Sequence, residues 1–246
     1  MITKAQAKYI QSLSDKKFRT EMRCFVAEGP KIINEFLTER SFEPVSIYGL
    51  PEWIEAQTFS DLEAVTVTNR ELDNISFLST PNQVLGVFRL PPPDTTYDFW
   101  GKLTLVLDGI QDPGNLGTII RIADWFGISA IVASKDSADA YNPKVVQSTM
   151  GSIARVKILS EDLAVFLQNH RPIPILAAAL DGISLGKMGR VKEGFLVIGN
   201  ESKGISPEIL ELATQKITIP RLGKAESLNA GVAAGILVSA ITIPKG

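Results

Sequence analysis

Apolar positions follow two different patterns along the chain, divided near residue 90. Upstream, Ile32, Ile33, Phe36 and Leu37 recur at helical spacing in EGPKIINEFLTER, and Pro30 suits the first turn, where its missing N–H is no loss. Short apolar stretches at Val45 to Tyr48, Ala64 to Thr68 and Val84 to Leu90 read as strands with helical stretches between them. That pattern predicts a small α/β unit. Downstream the apolar runs are unbroken: Leu103 to Leu107, Ala130 to Ala133, Ile175 to Leu180, Phe195 to Ile198 and Ile217 to Ile219. Alternation is lost when both faces of a strand are buried, so these runs predict an α/β domain with a parallel sheet covered on both sides. Between the two regions LPPPDTTYDFW places three prolines in a row, which forbids helix and favours an extended spacer. The expected organisation is a domain over 1–90, a linker over 91–101 and a second domain over 102–246.

Composition narrows the chemistry. The 246 residues are 45% hydrophobic and 21% charged, ample apolar material for two cores. The single cysteine, Cys24, stands beside Phe25 and Val26 and reads as a small buried hydrophobe. The single histidine, His170, falls in the loop-like stretch QNHRP and reads as a solvated polar residue. One cysteine and one histidine cannot build a Cys/His metal cluster, and no acidic grouping replaces it, so no metal is expected. The start, MITKAQAKYIQ, lacks the apolar stretch of a signal peptide, and the apolar run from Ala230 to Ile243 is shorter than a bilayer span; a cytoplasmic protein is expected. Net charge is −2, yet residues 1–31 carry seven Lys or Arg against three acids, a local basic surface that suits phosphate or is simply solvated.

Three of the downstream strands run directly into polar, glycine-bearing loops, and ligands of a parallel sheet belong at such strand ends. The first reads IQDPGNLGTIIRIAD. Pro113, Gly114 and Gly117 set a sharp strand-to-helix turn and Asn115 can donate and accept at its mouth. Arg121 stands among Ile119, Ile120, Ile122 and Ala123, and a guanidinium there needs a phosphate or carboxylate partner, Asp124 and Glu201 being structural alternatives. The second loop, Gly199-Asn-Glu-Ser-Lys-Gly-Ile-Ser206, approaches a P-loop but has Ile205 where the phosphate lysine belongs. Its amides suit a neutral or zwitterionic ligand, with Glu201 orienting Arg121 or another polar group. The third, RLGKAESLN, enters a helix at Ala230; Ser227 is a plausible N-cap, and Gly231, Ala233, Ala234 and Gly235 allow close helix packing.

Taken in order, DPGNLGTIIRIAD, IGNESKGIS and IPRLGKAESLNAGVAAGI closely resemble the three motifs of the SpoU, or TrmH-like, RNA ribose methyltransferases of the SPOUT superfamily. FVAEGPKIINEFL resembles the L30e-like substrate-binding domain that many of them carry at the N-terminus. The resemblance implies a C-terminal domain threaded as a trefoil knot, a homodimer formed through it, and S-adenosyl-L-methionine as cofactor. It places Gly199, Asn200, Ile219, Gly223 and Leu228 at the cofactor. Arg121, Asn115, Glu201, Ser227 and Asn229 match the polar residues associated with catalysis and its support. Two departures stand out, Asp112-Pro113 for the frequent Asn-Pro, and Met150 where a small residue is common.

Rival readings are weaker. Gly182-Ile-Ser-Leu-Gly186 spells a nucleophile elbow, but the only histidine precedes Ser184 rather than following it. No GxGxxG follows any strand, which removes a dinucleotide-dependent oxidoreductase. A non-catalytic RNA-binding dimer on the same fold is the serious competitor. Ribosomal RNA is the expected substrate, with transfer RNA as the alternative; the target nucleotide has no signature in the sequence.

Overall fold

The computed structural model describes residues 2–57, 64–92 and 96–243. Pro93, Asp94 and Thr95 of the expected linker lie outside the described residues. Two compact units emerge: Met1–Pro92 with Asp139–Arg155, and Pro93–Ala138 with Val156–Gly246. The segment 139–155, assigned from the sequence to the second domain, thus groups with the first.

The first unit opens with two capped helices. Thr3 and Gln6 form a capping box at α1 (Lys4–Ser12), and Asp15 accepts from Lys17 N at α2 (Lys16–Met22). Then come β1 (Cys24–Glu28), α3 (Pro30–Glu39), β2 (Pro44–Gly49), α4 (Pro51–Glu55), β3 (Ala64–Thr66), α5 (Asn69–Asp73) and β4 (Val84–Arg89). Their sheet has the order β1-β4-β2-β3; β4 is antiparallel to both neighbours, and β3 runs parallel to β2. α3 starts at Pro30 and buries Ile32, Ile33 and Phe36, as its spacing predicts. β1 is not foreseen from the sequence: all five of its residues, Cys24 included, are buried, so it shows no alternation. One face of the sheet packs Ile10, Leu13, Leu72 and Ile75. An aromatic group of Phe25, Phe36, Phe42 and Phe88 is completed by Tyr141 from the segment 139–155.

The N-terminal basic surface is revised by one pair of residues. Arg19 is 2% exposed and directs its guanidinium to Asp139 (2.6 Å) and to the carbonyls of Leu13 and Ser14. It holds the unit together and is not a solvated cation. Lys4, Lys8, Lys16, Lys17, Arg23 and Lys31 remain exposed, and Glu28, one of the three acids, is buried.

The second unit follows the order β5 (Leu103–Asp108), α6 (Pro113–Trp125) and β6 (Ala130–Ser134). After the segment that carries α7 (Pro143–Thr149) come β7 (Lys157–Glu161), α8 (Leu163–Asn169), β8 (Ile175–Ser184), β9 (Gly194–Gly199), α9 (Pro207–Leu212), β10 (Gln215–Thr218) and α10 (Ala230–Thr242). These strands form a six-stranded sheet, β10-β8-β9-β5-β6-β7, in which every pair is parallel. Four of the five unbroken apolar runs are its inner strands, where Leu105, Val106, Ala130, Phe195 and Val197 are completely or almost completely buried, and the fifth, at Ile217, belongs to the edge strand β10. β7 escapes the sequence pattern because it lies at the sheet edge, with no fully buried residue. β8 runs past the predicted Leu180 to Ser184, and its register with β10 jumps from Lys216↔Ala177 to Ile217↔Ile183.

His170 also differs from expectation. It caps the C-terminus of α8 with Nδ1 2.8 Å from the Phe166 carbonyl oxygen, and its ring packs against Phe99, Phe166 and Phe195. Aromatic packing, not solvation, accounts for it. Among the described residues no helix is long and apolar enough to cross a membrane.

Candidate functional site

β5 and β9 lie side by side at the centre of the second unit's sheet, and their carboxyl ends feed the first two polar loops. In the first, Gly109 adopts φ +69°, a left-handed turn that favours glycine. Asp112 then caps α6 by accepting from Asn115 N at 2.8 Å, with Pro113 at the first helical position. That cap fixes where Asn115 stands on the helix. Its amide nitrogen donates to Glu201 Oε1 in the second loop, and its oxygen accepts from Asn229 Nδ2 at 2.8 Å in the third. Three segments far apart in sequence therefore meet at one side chain.

The second loop is tied to the first by Asn200, whose amide donates to the Gly109 carbonyl oxygen at 2.8 Å. The Asn200 oxygen accepts from Ser202 N and Lys203 N, and its backbone pairs with Gly204 in both directions. A Cβ on Gly199 would lie 2.3 Å from the Gly204 carbonyl carbon, so only glycine permits this fold-back. Asp108 supports the far end of the loop by accepting from Ser206 N at 2.7 Å. Glu201 takes Asn115 as its partner, not Arg121 as the sequence reading allowed.

In the third loop the cap of α10 is Asn229, which accepts from Val232 N at 3.2 Å, rather than Ser227. Ser227 is exposed. The small residues behave as expected: Gly231 faces Thr118 and Gly235 faces Ile122, so α10 lies directly on α6.

The second and third loops enclose a cleft of about 920 Å³. All five residues expected at a cofactor, Gly199, Asn200, Ile219, Gly223 and Leu228, line it, as do Glu201 and Ser227. Asn115 and Asn229 are not in its lining but are joined to Glu201 by the hydrogen-bond chain just described. Arg121 is not brought to the cleft of its own chain. It is exposed on α6, with no hydrogen bond or ion pair among the described residues. Its six positions from Asn115 amount to about 120° round the helix and about 9 Å along it. The expected apolar surroundings are the helix's other face, where Ile119, Ile120 and Ala123 are buried.

Two aspartates and one strand segment were missed in the sequence. Asp108 and Asp112 hold the loops by accepting backbone N–H groups; an acid directly before Pro113 was an available cap signal. The stretch Ala178 to Leu180, read simply as strand, lines the cleft because the register jump pushes it out of the β10 pairing. Among the described residues no grouping of His, Cys, Asp and Glu could hold a metal ion.

The family model described as the SpoU rRNA Methylase family matches residues 102–239, more than half of the chain and all three loops. The chain belongs to the SpoU rRNA methylase family. Upstream of the SpoU region, residues 4–86 match the MRM3-like substrate binding domain. Among curated relatives, the 23S rRNA (guanosine(2553)-2'-O)-methyltransferase RlmP of Bacillus subtilis is 28% identical over 231 residues, which cover 93% of this chain and 92% of RlmP. A TrmH-family structure from Porphyromonas gingivalis superposes with a TM-score of 0.89 at 36% identity, covering 98% of each chain. An AdoMet-bound rRNA methyltransferase from Sinorhizobium meliloti gives 0.87 at 28% identity, covering 98% of this chain and 95% of that one. The resemblance read from the three loops therefore holds, and the parallel six-stranded α/β fold is the one SpoU proteins share.

Proposed function

We propose that this SpoU protein transfers a methyl group from S-adenosylmethionine to a ribose 2′-hydroxyl of ribosomal RNA, acting as a cytoplasmic homodimer. The observation that carries the reading is the chain Asn229 to Asn115 to Glu201, which draws the three motif loops to the edge of one cleft. Ribosomal rather than transfer RNA is favoured because RlmP, matched over nearly its whole length, is named for 23S rRNA.

The cleft suits the cofactor in size and chemistry. Its volume lies in the range of small-molecule sites. Ile198, Ile217 and Leu237 in its lining would offer an apolar wall to an adenine, and Glu201 and Glu226 would offer carboxylates to a cationic sulfonium. When bound, S-adenosylmethionine supplies an electrophilic methyl group. Residues of the second and third loops would hold it so that this methyl group could pass from sulfur to the ribose oxygen, whose proton would go to solvent. Glu201, Asn115 and Asn229 fix the loop geometry, which holds the reactants in line.

Arg121 stabilises the developing alkoxide or grips the adjacent phosphate, because a guanidinium keeps its proton near neutrality. Exposed and outside the lining of its own cleft, it serves that of a second copy. Exposed apolar side chains on the α6–α10 pair, Trp125, Val232 and Ile236, with Ile243 directly after α10, supply surface for that second copy. The same reading has residues beyond β9 threaded into the trefoil knot, consistent with α10 returning to α6 after the edge strand β10.

Calorimetric titration tests the enzyme reading against the non-catalytic RNA-binding dimer. Binding of one S-adenosylmethionine per chain, at micromolar concentration, is expected. A folded sample that takes up none would leave only the RNA-binding scaffold.

A further inference from the structure

The first unit contains a second pocket, of about 340 Å³, that the methyl-transfer reading leaves without a role. We propose that it receives an unpaired guanine of the RNA, with Glu28 reading the Watson–Crick edge of the base. The proposal rests on RNA being the substrate.

Glu28 lies in the wall of this pocket and is 4% exposed. Its Oε2 accepts from Ser76 Oγ at 2.5 Å and its Oε1 from Phe77 N at 2.8 Å. A carboxylate has about four acceptor positions, so lone pairs remain unused. No cation pairs with it among the described residues, and burial pushes its pKa above the usual carboxylate range, opposed in part by those two hydrogen bonds. Such a group, largely dehydrated yet with acceptor capacity to spare, is suited to N–H donors from a ligand.

Around it stand two amides whose donor capacity is also free. The Asn142 oxygen accepts from Lys144 N, but its NH₂ makes no hydrogen bond among the described residues. The Gln147 side chain makes none at all among them. Phe77 and Pro143 supply apolar faces for a flat ring, and Lys144 is exposed at the rim, placed for a phosphate. Guanine is the base whose Watson–Crick edge sets two adjacent N–H donors, N1 and N2, against one carboxylate, while its O6 accepts from an amide. Adenine, cytosine and uracil each present a single donor on that edge. Unpaired bases with exposed Watson–Crick edges are what sequence-reading RNA sites take up.

The competing explanation is that Glu28 only anchors the loop at Ser76 and Phe77. Base selectivity separates the two. Fluorescein-labelled nonamers UUUUGUUUU and UUUUAUUUU are titrated by anisotropy against the full-length protein without S-adenosylmethionine. The guanine nonamer is expected to bind about tenfold more tightly. That preference should fall below about threefold in Gln147→Ala and in Glu28→Gln, with S-adenosylmethionine affinity unchanged. Gln147→Ala carries the test if Glu28→Gln fails to fold. Equal binding of the two nonamers, no binding of either, or a preference that survives Gln147→Ala overturns the proposal. Uptake of S-adenosylmethionine and methyl transfer are read separately, so their failure would count against the proposed function and not against this pocket.

Discussion

Asn229, at the N-terminus of α10, donates its amide to the side-chain oxygen of Asn115 on α6, 2.8 Å away and 114 residues earlier. Its own oxygen caps α10 through Val232 N. One side chain thus starts a helix and joins two motif loops, and the two roles can be separated. Asn229→Asp keeps the capping oxygen but sets an acceptor against the Asn115 oxygen, close to Glu201. Its unfolding free energy should stay within about 1 kcal/mol of wild type, since Asp and Asn cap equally well. Single-turnover methyl transfer should fall at least tenfold. Loss of stability without loss of rate would show that the contact only supports the helix.

Arg121 is exposed and unpaired among the described residues, so Arg121→Ala should alter stability by less than about 0.5 kcal/mol. Cofactor affinity should be unchanged and methyl transfer abolished. Gly199→Ala has the opposite defect: its Cβ clashes with the Gly204 backbone and closes the cofactor loop. If Arg121 serves the cleft of a second copy, an equimolar mixture of the two inactive variants, allowed to exchange subunits, should recover about a quarter of wild-type sites. Recovery at background level would return Arg121 to its own cleft or remove it from catalysis.

The pair formed by buried Arg19 and half-buried Asp139 ties the N-terminal helices to the segment 139–155. Arg19→Met removes the charge and leaves Asp139, with two backbone carbonyls, short of donors. A loss of about 3 kcal/mol in urea unfolding is expected, because breaking one half of a buried ion pair strands the other. A loss below about 1 kcal/mol would mean that water replaces the guanidinium.

Glu28 gives the fold a specific pH dependence. Its pKa is raised in the folded state, chiefly by burial, so the folded protein holds that proton more tightly than the unfolded chain. The resulting stabilisation is complete below the unfolded carboxylate range and is lost as pH rises through the folded value. Relative to Glu28→Gln, the wild type should therefore lose melting temperature as pH is raised from about 4 towards neutrality. A parallel pair of curves would place Glu28 in an environment as polar as water.

Much of this architecture can be read in the sequence because burial on both faces leaves a plain mark. The apolar runs at Leu103, Ala130, Ile175 and Phe195 became inner strands, and the glycine-bearing loops after Phe195–Ile198 and Ile217–Ile219 became the walls of the cleft. Elements without such a mark escaped. The edge strand β7 has a mixed surface, and β1, between two helices, shows no periodicity to separate it from them. The cap at Asn229 was assigned to Ser227 because both residue types suit that position and only the backbone decides between them. The orientation of Arg121 likewise follows from where α6 begins, which Asp112 sets. Arg19 reads in the sequence as part of the N-terminal basic surface, since its partner Asp139 lies 120 residues away.

On the proposed function, the cleft and its three loops deliver a methyl group to ribose oxygen. Incubation of the full-length protein with unmodified ribosomal RNA and S-adenosylmethionine labelled in the methyl group, followed by digestion to nucleosides, tests it most directly. The label is expected in a single 2′-O-methylated nucleoside. Label on a base, or none in any nucleoside while the protein binds the cofactor, would contradict it.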